Sequence, residues 1–534
     1  MLSAPPHPKR WLAAIVLLGA ALRLFPIWFG LPFPYARPDE NEAIGHAFGI
    51  LAGDPNPHFF HWPSLTFYLF AAVFGAVAPI HKALSGDLTL THDAAALAAR
   101  AVVAIAGTLT LLPLHRLARR MFDETSAMTA AFFLAVAVLH VRDSHFAMTD
   151  VLMTLFVVLC LARLAAAYDG APLSRAEERP TYLGGFAVAG VLGGLAASTK
   201  YSAAAVVGAM AVAQLFLLAR FRRAPWSLPA WAPAVVFVVA AAAGFLAGTP
   251  FAVLDAPAFT ADFLYDFTHL SSGHGVDVGS GWRAHLTRSL PYGCGPLLFF
   301  AGVVGWFLAL RRAPHRTAIV TGFAAAFLVA LGSGRTVFFR YVMPLVPITC
   351  LFAAVAARSL AATIAGVLPV APRAAALAAA LLIGGLSLAS SVWMDLLLAR
   401  TDTRVVAARW LTAQLRSPHS LHDAGGAYVH LDLREADYHQ WFFNPRTQSF
   451  GDPNGRTPDW IVIAESPLQL YAQPDPSVKR LATERYAPVL VVRGTRSLDS
   501  AAVYDQQDAF FLPFSRFWEV ERPGPTITVY RRRD

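Results

Sequence analysis

Charge is scarce in this chain. Only 14% of its 534 residues are Asp, Glu, Lys or Arg, against 56% hydrophobic, where soluble domains carry about 25% charged residues. That shortage excludes a large soluble enzyme. With a mean hydropathy of +0.49, it leaves a protein that crosses a membrane many times. Cysteine is nearly absent: Cys160, Cys294 and Cys350 lie in or beside apolar runs and offer neither a metal-ligand spacing nor a disulfide framework. Lysine is scarce too, with Lys9, Lys82, Lys200 and Lys479 the only four among 43 basic residues. There is no nucleotide-binding glycine signature and no internal repeat of the kind many transporters carry. The formal net charge of +9 does not point to nucleic acid, because the basic residues cluster in short loops between apolar runs.

What the chain has in plenty is apolar stretches approaching the roughly 20 residues a bilayer requires. They fall at 11–31, 96–115, 126–141, 147–168, 183–199, 201–219, 229–250, 291–310, 316–332, 338–357 and 373–393. The first follows Lys9 and Arg10 but has no clear small-residue cleavage site, so it reads as an uncleaved span rather than a signal peptide. The run at 62–81 is apolar as well. Counted as a span, it would put RLARR (116–120), RFRR (220–223) and RRAPHR (311–316) outside. As a helix lying on the outer surface, it puts all three inside with the basic N-terminus and Arg358. The positive-inside rule therefore predicts about eleven spans plus one juxtamembrane helix.

On that topology the loops 32–95 and 251–290, the turn from Asp143 to Asp150, the corner 199–201, the segment 333–341 and the tail from about residue 397 all face outward. Most ionisable residues that the positive-inside loops do not explain collect there. Arg23, within the first run, is the main exception and needs a partner or a short snorkel. From about Arg400 the composition turns globular. The stretch 404–415 has helical periodicity, and 460–466, 488–494 and 526–532 read as strands. The expected architecture is a polytopic α-helical membrane domain over 1–398 and a small α/β domain outside the plasma membrane over 399–534.

The densest chemistry lies between Tyr35 and Tyr68, in the first outer loop. Asp39 and Glu40 follow Pro38, and a carboxylate set by a rigid turn at the membrane surface can serve as a general base; an ordinary solvated loop has the same composition. Asp150 opens a span, where it can join Asp39 as a second acid or simply cap a helix. Lys200 joins two apolar runs and Arg340, followed by Tyr341, opens another. Two such cations suit a phosphate, Arg through its fork and Lys as a point charge, although interfacial snorkelling also places them there. His58 and His61 in NPHFFHWPS, Arg142 in the Asp143 turn and His274 in SSGHGVDVGSG are candidate loop or acceptor contacts. Phe259, Phe263 and Phe267 at helical spacing predict an interface helix before that glycine-rich stretch.

In these residues the chain resembles the GT-C superfamily of integral-membrane glycosyltransferases. The branch it looks most like holds the protein O-mannosyltransferases and the aminoarabinose transferase of lipid A, glycosyltransferase families 39 and 83. The likeness rests on RPDENEA, HWPSLTFYL, the mouth from Arg142 to Asp150, GTPFAVLD and FFRYVMPLVP, in that order over about residues 10–400. It implies Asp39 as the catalytic carboxylate, with Glu40 beside it, and a sugar on a polyprenyl phosphate as donor. It further implies that Lys200 and Arg340, with Tyr341, stabilise the departing lipid phosphate, and that Asp150 helps orient acceptor or donor. Some relatives use a divalent metal. The protein-mannosylating members carry an extra outer domain within a later loop, for which there is no room here, so a lipid or glycan acceptor is favoured over protein. Two other classes compete: a transporter or flippase of lipid-linked sugars, and a non-catalytic binding subunit. A transporter should place its ionisable residues near the bilayer midplane on broken helices, whereas here they gather at one rim.

Overall fold

The computed structural model describes residues 7–171, 182–221, 228–426, 428–452 and 455–533. The chain is mostly helical and divides into two units, one of residues 1–27 and 42–392, the other of 28–41 and 393–534. Among the described residues eight helices are long and apolar enough to cross a membrane, or nine if one bent pair counts as a single span. Two shorter apolar helices, Glu124–Val136 and Leu183–Ala197, accompany them. This is a multi-pass membrane protein.

Several apolar runs are interrupted where their residues require it. The first helix, Pro8–Leu24, stops short of residue 31, with Phe25 already extended at φ −105° and ψ 125°. Pro26 follows, and a proline disfavours helical backbone in the residue before it. The expected span 291–310 breaks at Gly295, where the helices on either side meet at 111°. Gly295 has φ +96°, and a Cβ there would come within 2.1 Å of Ser387 Oγ; Pro296 then starts the next helix, where its missing N–H costs nothing. The run 338–357 opens with a 3-10 turn, Phe339–Val342, before the helix Leu345–Val367.

Arg23 has its partners. It is fully buried, donating to the carbonyls of Gly19 (2.9 Å), Leu134 (2.8 Å) and Ala135 (3.0 Å), with His140 Nδ1 2.9 Å away. An intramembrane cation bonded through both terminal nitrogens ties the first helix to the end of helix Glu124–Val136.

The 62–81 run forms the helix Leu65–Ser85, which meets a span's requirements by length and composition. The expectation from charge parity is instead that it lies on the outer surface, and reporter fusions separate the two. A reporter fused after Arg358 is expected to be cytoplasmic and one fused after Leu398 external. The reverse pattern would make Leu65–Ser85 a span.

The second unit carries a five-stranded mixed sheet of order β2-β1-β3-β5-β4, with β1 Ser420–Asp423, β2 His439–Gln440, β3 Trp460–Glu465, β4 Tyr486–Val492 and β5 Thr526–Arg532. β1 pairs in parallel with β2 and β3, while β5 runs antiparallel to β3 and β4. β3 is buried along nearly its whole length, as befits an apolar run covered on both faces. Helix Thr403–Gln414 supplies Ala407 and Leu411 to one core, and helix Pro476–Arg485 supplies Val478 and Ala482 to the other.

Candidate functional site

In the first unit, three of the singled-out motifs converge on one corner. The N–H of Leu65, in HWPSL, donates to the Ser198 carbonyl at 3.1 Å. Ser198 Oγ and Thr249 Oγ1, the latter in GTPFAVLD, are 2.7 Å apart, and the Ser64 N–H reaches the same Thr249 oxygen at 3.3 Å. Gly248 is required for this approach, since a Cβ there would lie 2.3 Å from Ser198 Oγ. Lys200 emerges from that corner, between the end of helix Leu183–Ala197 and the 3-10 turn Tyr201–Ala205.

Lys200 Nζ donates to Asp150 Oδ1 at 2.6 Å. It also lies 4.4 Å from the centre of the Tyr341 ring, a cation over an aromatic face. Asp150, near the start of helix Thr149–Asp169, is 1% exposed, and its second oxygen has no hydrogen-bond partner among the described residues. Arg340 is buried with its guanidinium 4.1 Å from the Phe338 ring centre. Phe338 packs against Tyr341 at 5.2 Å and against His274 at 5.2 Å. Asp150, Lys200, Arg340, Tyr341 and His274 thus form one neighbourhood.

His61 joins a second group that sequence reasoning missed. Its Nδ1 is 3.1 Å from Asp266 Oδ1 and its Nε2 3.8 Å from Asp262 Oδ1. Asp262 also accepts the Phe60 N–H at 2.7 Å, and the Phe60 carbonyl accepts the Tyr201 hydroxyl at 2.7 Å. The two aspartates sit four residues apart on helix Ala256–Ser272, the predicted interface helix, so they share a face. Their signal was that spacing, on the helix whose Phe259 and Phe263 pack against the Tyr201 ring.

Burial pushes the Asp266 carboxyl up to about 6; His61 pulls it down, Asp262 pushes it up, and Lys200 pulls it down. A carboxyl raised by folding adds stability that is present below its unfolded pKa of about 4 and is lost as the pH rises through about 6. Wild type is therefore expected to lose melting temperature relative to Asp266→Asn between about pH 4 and pH 6, with no further loss well above pH 6. Parallel melting curves for the two proteins would remove this titration from the account.

His58 pairs with Asp54 at 3.0 Å in an exposed loop. Arg142 is buried, bonded to Asp143 at 2.7 Å and placed 5.5 Å from the Phe146 ring centre, on the helix Val138–Asp143 that packs against the 3-10 turn Phe339–Val342. Asp39, half-buried, and Glu40, buried, belong to the second unit. Among the described residues no group of three or more His, Cys, Asp or Glu side chains converges as metal ligands.

Comparison with known proteins follows the same line. The family model for dolichyl-phosphate-mannose-protein mannosyltransferase matches residues 78–262. The apo oligosaccharyltransferase of Archaeoglobus fulgidus is similar at TM-score 0.51 and 13% identity, over 87% of this chain and 70% of that one. ArnT from Cupriavidus metallidurans, solved with undecaprenyl phosphate, is similar at TM-score 0.50 and 16% identity, over 97% of this chain and 98% of that one. At such identities the likeness is one of fold. No curated protein matches the sequence.

Proposed function

Since the chain has the GT-C fold of integral-membrane glycosyltransferases, we propose that it moves a sugar from a polyprenyl-phosphate carrier to a hydroxyl acceptor on the outer face of the membrane, with inversion. The observation that carries this reading is the Lys200 assembly. An ammonium steered by a buried carboxylate and an aromatic face, with a buried guanidinium in the same neighbourhood, is a site for a phosphate. One ammonium N–H is donated to Asp150 at 2.6 Å, which orients the group while leaving it protonated, and in this reading the cation acts as a donor phosphate departs.

In this reading the acceptor oxygen attacks the anomeric carbon and its proton passes to Asp39. The bond from that carbon to the phosphate oxygen breaks, and the polyprenyl phosphate leaves with the electron pair. Lys200 and Arg340 balance the charge that grows on it, a stabilisation realised as the bond breaks. The bound undecaprenyl phosphate of the structurally similar ArnT supports a polyprenyl carrier. A lipid or glycan acceptor is favoured over protein, because the described residues of the membrane domain include no inserted outer domain of the protein-mannosylating kind.

The test is mass spectrometry of lipids and glycans from cells with and without the protein. One glycolipid or glycan is expected to lose a single sugar and to regain it on complementation, which identifies sugar and acceptor together. Accumulation of a polyprenyl-phosphate sugar with no such loss would shift the acceptor to protein. No change in either would overturn the donor assignment and leave transport of lipid-linked sugars to be measured by flux.

A further inference from the structure

Helix Thr149–Asp169 carries Asp150 near one end and a second group of charges toward the other. At 1.5 Å per residue, Arg163 stands about 20 Å along the axis from Asp150. There the first unit encloses a cavity of about 570 Å³ whose wall includes Arg116, Arg119, Arg120, Arg163, Arg316 and Asp169. Five cations face one anion.

The internal pairing leaves part of that charge unspent. Asp169 accepts from Arg120 at 3.1 Å and from Arg316 at 2.9 Å, and Arg316 also donates to the Arg120 carbonyl at 2.8 Å. Arg119 lies 3.8 Å from Glu124. Arg116 and Arg163 have neither an acidic partner nor a hydrogen bond among the described residues. Asp169 thus holds two guanidinium groups in fixed orientation from different helices, while two more remain available. The remaining wall includes Leu159 and Leu192, and the cavity is built between apolar helices at one end of them. A phosphate suits the arginines, and an acyl chain suits the leucines.

We infer that this cavity binds the headgroup of an anionic phospholipid, at the end of the membrane domain opposite the Lys200 assembly. Arg116, Arg119, Arg120 and Arg316 belong to the loops that the positive-inside rule places in the cytoplasm, and Arg163 lies near the same end of its helix; there the leaflet surface is negative and each basic residue near it contributes about a fivefold gain in affinity. The inference is independent of the sugar-transfer reading, since none of these residues takes part in it.

The test uses the purified full chain in neutral detergent, titrated with short-chain phosphatidylglycerol, short-chain phosphatidylcholine or inorganic phosphate, and read by melting temperature and native mass spectrometry. Phosphatidylglycerol is expected to bind and raise the melting temperature, the other two to do neither. Arg116→Gln/Arg163→Gln is expected to weaken that binding about thirtyfold, while Arg311→Gln/Arg312→Gln, which removes charge from outside the cavity, leaves it within about twofold. Arg163→Gln alone, at an exposed side chain, gives about a fivefold loss if the double variant does not fold. Equal losses in the two double variants would reduce the effect to diffuse surface charge and overturn the site. Inorganic phosphate stabilising as strongly as the lipid would overturn the lipid assignment.

Discussion

Asp39→Asn is expected to lower sugar transfer about 10²- to 10⁴-fold, the range a positioned general base contributes, with the protein inserted and as abundant as wild type. The exchange keeps the side chain's shape and removes its ability to take the acceptor's proton. The stretch around it is fixed by other groups within the second unit. Arg37 is fully buried, bonded to Asp508 and placed 5.9 Å from the Phe510 ring centre. Asn41 donates its side-chain N–H to the Pro34 carbonyl at 3.1 Å, and Pro38 restricts the intervening backbone. Glu40→Gln is the control. Glu40 is 3% exposed and begins the helix Glu40–Leu51, where a carboxylate interacts favourably with the helix dipole, so its replacement should reduce abundance more than turnover per molecule. The measurement is the transfer rate in membranes at matched protein level. Wild-type turnover by the Asp39→Asn protein would remove Asp39 from the mechanism.

The parts of this molecule legible in the sequence are those written in local pattern. Apolar length marked the membrane helices, short runs rich in β-branched residues marked β3, β4 and β5, and the phenylalanine spacing marked helix Ala256–Ser272. β1 and β2 were not legible, because four and two residues carry no usable period. The breaks at Leu24 and Gly295 sat inside apolar runs, where hydropathy is blind and only Pro26 and the Gly295–Pro296 pair gave a sign. The site divides the same way. Asp150 and Lys200 each looked suspicious alone, yet nothing local pairs residues 50 apart; the packing of the helices around them does. Asp262 and Asp266 were passed over because the apolar face of their helix drew the reading, although acids four apart on such a helix are a signal in themselves. His58 and His61 differ by three positions and in fate: His58 turns to Asp54 in an exposed loop, while His61 reaches across to another helix.

At Lys200 the expected effect is as large as at Asp39, but a single substitution conflates two causes. Lys200→Met strands the Asp150 carboxylate, which is 1% exposed and loses the side chain bonded to it among the described residues. Removing one member of a buried ion pair costs about 3–5 kcal/mol, so this variant is expected to lose stability and transfer together. Asp150→Asn is milder. Its amide oxygen can still accept from the ammonium, and Lys200, whose side chain is 18% exposed, keeps the face of Tyr341. The double variant Asp150→Asn/Lys200→Met removes both charges at once, and replacing a whole buried pair by neutral groups is often close to neutral. It is expected to melt near wild type and to remain inactive, because the departing phosphate has lost its cation. The coupling energy from the four proteins measures the pair itself. Transfer that returns along with stability would make Lys200 a counter-ion to Asp150 and nothing more. Stability without transfer in the double variant, with transfer kept by Asp150→Asn, assigns Lys200 to the donor phosphate, since the fold is then intact and the loss follows the lysine alone.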